Sequence, residues 1–132
     1  MLRQVRNYLR GLDGVITYYG TNFDVPFLRT RMLAYGMSPI GKLRHLDVYY
    51  TVRRTMRMSR NRLANAIELL QQGDGTVPDK GRVAPPLWMK ALYSRDENAL
   101  KQIIEHCVED VHALEAALVK LKAFAPDRVL RR

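Results

Sequence analysis

The spacing of hydrophobic and polar residues predicts helices that alternate with two short strands. Residues 1–14 carry apolar side chains at helical spacing, which predicts a short amphipathic helix that ends near Gly11. The β-branched and aromatic run Val15–Tyr19 predicts a first strand, and Lys42–Tyr50 predicts a second. Because one helix-like segment separates them, the two strands are expected to lie parallel in a right-handed crossover. The pattern therefore predicts an α/β fold.

Further helices follow from helix-start and helix-stop signals. Asn22 is a potential N-cap, Pro26 falls in the first turn and Gly36 is a stop, so a helix is predicted up to about Tyr35. Three more are predicted at about residues 60–72, at 87–92 and from Asp96 to about residue 123. The predicted apolar sides are Leu63, Ala66, Ile67 and Leu70 in the 60–72 helix, and Leu100, Ile103, Cys107, Val111, Leu114, Leu118 and Leu121 in the last.

Length and composition indicate one globular domain over residues 1–132. The stretch 73–86 is rich in glycine and proline, which predicts a flexible loop, and residues 125–132 are predicted to form a loose basic tail. The sequence contains no apolar run near the ~20 residues that a membrane-spanning helix needs. Cys107 is the single cysteine, which excludes an internal disulfide and favours a reducing, cytoplasmic location.

The charge balance favours an anionic partner. The chain has 22 Lys and Arg against 13 Asp and Glu, a net charge of +9, which suits nucleic acid. A membrane surface or an acidic protein would satisfy the same charge. The arginines that form the candidate nucleic-acid surface are Arg29, Arg53, Arg54, Arg57, Arg60 and Arg62.

Two interpretations of this arginine group are open. The side chains can bind phosphates along a single strand while Tyr49 and Tyr50 stack on bases, which makes binding salt-dependent. Alternatively, they form a solvated face above Met56 and Met58, with the tyrosines in the core.

His106 and Asp110 are the first candidates for chemistry. They are four residues apart in the last predicted helix, so they share one face. Ala113 and Ala117 continue that face, and their small side chains are expected to leave room for a ligand. The alternative is an ordinary pair at the surface or at the edge of the core.

Asp24 and Asp47 are acidic residues within apolar stretches. Asp24 falls near a helix N-terminus, where an ionised carboxylate is favoured and can bind a hard cation such as Mg²⁺. Alternatively, its carboxylate only accepts hydrogen bonds from the unpaired backbone N–H groups in the first turn of its helix. For Asp47, the simplest expectation is a hydrogen bond between elements.

Two stretches resemble motifs of a nuclease superfamily. TYYGTNFDVPFLRTRM, residues 17–32, resembles the second motif of DnaQ-like 3′–5′ exonucleases of the DEDD type, nearest to the YprB-like ribonuclease H-like branch. EHCVEDVHALE, residues 105–115, resembles their third motif, and HLDVYYTVRR lies between them. The resemblance covers about residues 12–124 and implies a ribonuclease H-like fold.

The resemblance also implies a mechanism and a set of site residues. Asp24 and Asp110 correspond to the second-motif and third-motif carboxylates, which bind Mg²⁺ or Mn²⁺ in a two-metal hydrolysis of phosphodiester bonds. His106 stands where the family places the residue that orients and activates the attacking water. Phe23 and Phe27 are expected to pack beside this site.

The sequence also departs from the family pattern. The first motif, Asp-x-Glu, does not occur before residue 17, and Tyr19 stands where many relatives have Asn. We therefore expect a truncated ribonuclease H-like fold, a βαβ unit plus helices that lacks the first three strands and half of the metal ligands. The edge of the first strand would then be covered by an upstream segment, a partner chain or self-association.

Three functions are compatible with these observations. The first is the C-terminal portion of a two-metal 3′–5′ exonuclease that acts on DNA or RNA and is inactive alone. The second is a non-catalytic module that binds single-stranded nucleic acid. The third, a helical regulator that inserts an arginine-rich helix into duplex DNA, leaves both motif resemblances unexplained.

Overall fold

The computed structural model describes residues 1–74 and 85–124, which form six helices and two strands. In chain order these are α1 (Leu2–Arg10), β1 (Gly14–Thr17), α2 (Asp24–Ala34), β2 (Arg44–Asp47), α3 (Val48–Thr55), α4 (Leu63–Asp74), α5 (Pro85–Tyr93) and α6 (Glu97–Leu121). The two strands pair in parallel, in a register that sets Gly14 beside Arg44 and Thr17 beside Asp47. The predicted α/β fold and the parallel pairing are confirmed.

The described residues divide into two compact units. The amino-terminal unit comprises residues 1–61 with Phe124, and the carboxy-terminal unit comprises residues 62–123. No described helix is long and apolar enough to cross a membrane.

The helix after β1 starts differently from the prediction. Asn22 is not its N-cap, because the Asn22 side-chain amide donates a hydrogen bond to the Tyr50 hydroxyl and Phe23 occupies the cap position instead. The predicted stop is correct: α2 ends at Ala34, and Gly36 follows with a φ of +61°, a conformation that glycine adopts at little cost.

Both strands are shorter than predicted, and the helix α3 was missed. β1 ends at Thr17 because the chain turns through Tyr19, whose φ is +67°. β2 ends at Asp47, whose carboxylate accepts the Tyr49 N–H and so caps α3. In α3 the buried residues Val48, Thr51 and Val52 follow helical spacing, a period that the β-branched and aromatic composition of this stretch conceals.

The core of the carboxy-terminal unit lies between α4 and α6. Ile67 and Ala113 are 1% exposed at its centre, with Leu63, Leu70 and Ala116 packed around them. The predicted apolar side of α4 is confirmed, although the helix begins three residues later than expected. The ends of the predicted 73–86 loop belong to α4 and α5. The rest of that loop and the predicted tail 125–132 lie outside the described residues.

The long final helix is confirmed, but its predicted core stripe is only partly correct. Asp96 caps α6 by accepting the Ala99 N–H at 3.0 Å. Ile103, Leu118 and Leu121 are buried as predicted. In contrast, Leu100, Cys107 and Val111 are exposed, and the small residues Ala99, Ala113 and Ala117 are buried in their place.

Candidate functional site

His106 and Asp110 lie side by side on α6. The distance from His106 Nε2 to Asp110 Oδ2 is 3.6 Å, and their side chains are 18% and 30% exposed. The predicted shared face is thus confirmed. The carboxylate lies beside the imidazole, and both groups keep access to solvent.

Ala113 and Ala117 do not leave room for a ligand, so that prediction is wrong. Each is 1% exposed. Ala113 packs against Ile67 of α4, which shows that a small side chain is required there because two helices approach closely. The small residues on α6 therefore serve helix packing.

Asp24 is the first residue of α2 and is exposed. It lines a cavity of about 770 Å³ in the amino-terminal unit, together with Arg29, Thr17 and His45. Thr17 Oγ1 and His45 Nε2 are 2.7 Å apart across the two paired strands. Sequence reasoning missed this histidine, although period-two alternation along the parallel strands puts positions 15, 17 and 45 on one face.

Asp47 has the structural role that its sequence environment suggested. It is 8% exposed, and its carboxylate accepts the N–H groups of Tyr19 at 2.7 Å, Thr21 at 2.9 Å and Tyr49 at 3.2 Å. These bonds fasten the loop after β1 to the start of α3. The predicted hydrogen bond between elements is confirmed.

Four tyrosines pack edge to face beside this loop. The ring of Tyr49 contacts those of Tyr18, Tyr19 and Tyr50, with centroids 5.9, 4.7 and 5.2 Å away. The hydroxyl of Tyr18 donates to the carbonyl of Asn61 at 2.9 Å. Burial raises the pKa of Tyr18 well above its usual value, and the neighbouring Tyr49 and Asp47 raise it further.

Phe23 and Phe27, which were expected to pack beside the site, lie on the surface. Their side chains are 66% and 57% exposed, and their rings stack on each other with centroids 6.4 Å apart. They flank Asp24 in the sequence, so the Asp24 carboxylate lies beside an exposed apolar surface.

The candidate phosphate-binding arginines are all exposed. They are Arg29 on α2, Arg53 and Arg54 in the last turn of α3, and Arg57, Arg60 and Arg62 in the segment before α4. Residues 1–61 contain eleven Lys and Arg against three Asp and no Glu. Because Asp47 is buried, very little negative charge offsets these cations at the surface of the amino-terminal unit.

The described residues do not group three His, Cys, Asp or Glu side chains closely enough to hold a metal ion. Asp24 belongs to the amino-terminal unit, whereas His106 and Asp110 belong to the carboxy-terminal unit. Convergence of the two carboxylates therefore stays a prediction.

Comparison with known proteins decides the family. A family model described as the RNase H superfamily matches residues 1–122, nearly the whole chain. The chain belongs to the RNase H superfamily. Neither the curated proteins nor the solved structures give a significant match.

Membership of the RNase H superfamily has consequences at a general level. It indicates nuclease-type chemistry on a nucleic acid, and ribonuclease H-like nucleases generally use divalent metal ions. The exposed arginines are suited to such a substrate, since phosphate contacts from Arg and Lys supply most of the affinity for nucleic acid.

Proposed function

We propose that this chain contributes the second and third motifs of a DnaQ-like 3′–5′ exonuclease domain that hydrolyses single-stranded DNA or RNA. The observation that carries the proposal is the His106–Asp110 pair on α6, in a chain that matches the RNase H superfamily over residues 1–122. A histidine held beside a carboxylate can serve as a general base toward the water that attacks a phosphodiester.

In this proposal His106 is the general base, Asp24 is a metal ligand, and Asp110 both binds metal and positions His106. Asp110 holds the His106 ring in place, and the neutral imidazole accepts a proton from the attacking water. Asp24 and Asp110 offer oxygen ligands to Mg²⁺ or Mn²⁺. The metal ion, when bound, activates water and neutralises charge that develops on the phosphate.

The two proposed carboxylate ligands are suited to a divalent metal ion that is bound weakly. Carboxylates are the ligands that Mg²⁺ prefers, and this ion is commonly bound by one or two carboxylates together with the phosphates of a substrate. Because the described residues bring no three ligands together, we expect weak metal binding by the chain alone and tighter binding with nucleic acid present.

The amino-terminal unit supplies the substrate surface. Arg29 lies five residues after Asp24 on the same helix, and Arg53 and Arg54 end α3. A single strand bound along these cations would keep its bases free to stack on exposed rings such as Phe23 and Phe27.

The sheet also suggests where a further segment would bind. A two-stranded sheet is marginal by itself, and parallel strands are usually covered on both faces. An upstream segment or a partner chain that pairs with β1 would complete it. The proposed setting is the cytoplasm.

The proposal is tested with end-labelled single-stranded RNA and DNA in the presence of Mn²⁺. We expect no release of nucleotides by the chain alone. When the chain is joined to an upstream segment that bears an Asp-x-Glu strand, we expect slow release from the 3′ end, abolished by Asp110→Asn. Glu109→Gln is the matched control, because Glu109 precedes Asp110 on the same helix but is exposed. Cleavage that persists in the Asp110→Asn variant would contradict the proposal.

A second candidate is a non-catalytic module that binds single-stranded nucleic acid. It is favoured by the six exposed arginines together with the lack of a three-ligand group among the described residues. It predicts salt-sensitive binding without turnover, equally tight in Asp110→Asn and after removal of divalent ions. Cleavage that depends on Asp110 excludes it.

A further inference from the structure

An apolar groove runs along α6 beside α5. It is lined by Trp88 of α5 and by the α6 residues Leu100, Ile103, Ile104, Cys107, Val108, Val111 and His112. The side chains of Leu100, Ile104, Val108 and Val111 are 48 to 63% exposed, and Cys107 is exposed as well. A contiguous exposed apolar surface of this kind marks an interaction site.

The spacing of these residues is that of a helix-pairing seam. Leu100, Ile104, Cys107 and Val111, here named the α6 stripe, follow one another at intervals of four, three and four residues. This is the heptad spacing of side chains that interlock between two helices. At 1.5 Å per residue the stripe is about 17 Å long, which is three turns of contact.

We propose that the groove is occupied by the α6 helix of a second copy of this chain. The intervals of the stripe read the same in both directions, so an antiparallel copy related by a two-fold axis is complementary to it. Leu100 then faces Val111 of the second copy, and Ile104 faces Cys107. Such self-complementarity is the requirement of a symmetric dimer interface.

The charge distribution favours a second copy of the chain over nucleic acid as the occupant of the groove. Among the described residues, no Asp, Glu, Lys or Arg lines the groove, so these residues offer no charged partner to a phosphate backbone. Residues 62–123 contain eight Lys and Arg against nine Asp and Glu, so two such units meet without net repulsion. The amino-terminal unit, with eleven basic residues against three acidic ones, would repel its own copy.

The proposed interface is separate from the proposed catalytic pair. Each residue of an α-helix is turned by 100° from its neighbour, so His106 and Asp110 lie to one side of Cys107 and Val111. Dimer formation therefore leaves the pair accessible. A test can disprove the dimer while the nuclease proposal stands, and the reverse.

Sedimentation of the full chain over a range of concentrations tests this inference. We expect a reversible dimer for the unchanged chain and a monomer for Leu100→Glu, since a carboxylate at the seam would be desolvated without a partner. Leu33→Glu is the matched control: it makes the same change at a residue of α2 that is 81% exposed, and it should stay dimeric. A monomeric unchanged chain, or a dimeric Leu100→Glu variant with native helix content, would overturn the inference.

Cross-linking through the native cysteine gives a second, independent measurement. In the antiparallel arrangement the two copies of Cys107 lie close to the two-fold axis, so a short bismaleimide should link two chains covalently. The linked product should form in the unchanged chain and in Leu33→Glu, and should be lost in Leu100→Glu. Absence of the linked product from a dimer seen by sedimentation would refute this interface.

Discussion

Asp24 and Asp47 show how two similar acidic residues can have different roles. Both stand among apolar neighbours in the sequence, but Asp47 is buried and accepts three backbone N–H groups, whereas Asp24 is exposed at the start of α2. A buried carboxylate that accepts three backbone hydrogen bonds has a structural role, because it holds those backbone segments together. An exposed carboxylate at a helix start is free to bind a cation.

The Asp47→Asn substitution tests this division of roles. The amide keeps one acceptor oxygen but introduces an NH₂ group against backbone donors, so we expect the free energy of unfolding to fall by about 1–3 kcal/mol. Asp24→Asn, the same change at an exposed position, should alter it by less than about 0.5 kcal/mol. Urea denaturation measures both, and equal losses in the two variants would refute the distinction.

Tyr18 couples the stability of the amino-terminal unit to alkaline pH. Its pKa is raised on folding, chiefly by burial, so the protonated phenol is the form that the fold stabilises. This contribution is complete below the unfolded pKa of about 10 and is lost as the pH rises through the folded value. Stability should therefore fall with pH above about 10.

Replacement of the Tyr18 hydroxyl should change this pH dependence. Tyr18→Phe loses the hydrogen bond to the Asn61 carbonyl, at a cost of about 0.5–1.5 kcal/mol near neutral pH, and it should show a shallower alkaline loss. Tyr8→Phe, at a ring that is 71% exposed, is the control and should change neither quantity. If stability falls with alkaline pH as steeply in Tyr18→Phe as in the unchanged chain, Tyr18 is not the group responsible for that loss.

Among the helices and strands, the boundaries that depend on nearby residues were predictable from the sequence. The boundaries that depend on tertiary contacts were not. The cap at Asp96 and the stop near Gly36 depend on nearby backbone, so the sequence contains them. α3 was missed because Tyr49 and Tyr50 favour strands, while the Asp47 cap and burial of Val48 and Val52 select a helix. The strand ending at Thr17 likewise depends on a turn that Asp47 holds from a distance.

The contact between α4 and α6 explains the error at Ala113. The sequence shows a small residue beside a histidine and an aspartate, which is equally typical of an open site and of close helix packing. Only the partner helix distinguishes them, and that partner is Ile67, 46 residues earlier in the chain. Helix packing of this kind is not encoded in local spacing.

Ala113→Leu tests that contact. The added side chain has no space between α4 and α6, so we expect a loss of about 1–3 kcal/mol in the free energy of unfolding from overpacking. Ala34→Leu places the same side chain at an exposed position in α2 and should be close to neutral. If thermal unfolding shows Ala113→Leu to be as stable as Ala34→Leu, the close approach of the helices is wrong.

At the scale of the whole molecule, positive charge is concentrated in residues 1–61. Binding to a single-stranded oligonucleotide should therefore weaken steeply with salt, by a logarithmic slope of about 0.7 for each phosphate contacted. Changing Arg53, Arg54 and Arg57 together to Gln should reduce that slope by about 2.

A control for this prediction lies elsewhere in the chain. Lys90, Arg95 and Lys122 are also exposed but belong to residues 62–123, and changing them together to Gln removes the same charge. Fluorescence anisotropy at several salt concentrations compares the two triple variants. Equal slopes in both would show that the binding surface is not the arginine group.

The central claim is that Asp24 and Asp110 bind the same divalent ions in the presence of a substrate strand. Backbone amide signals of the full chain, recorded by NMR during a Mn²⁺ titration with a bound oligonucleotide, test it directly, because Mn²⁺ broadens signals close to it. The claim predicts simultaneous broadening around residues 24 and 110, lost at both places in Asp110→Asn. Broadening around only one of them, or around neither, would contradict it.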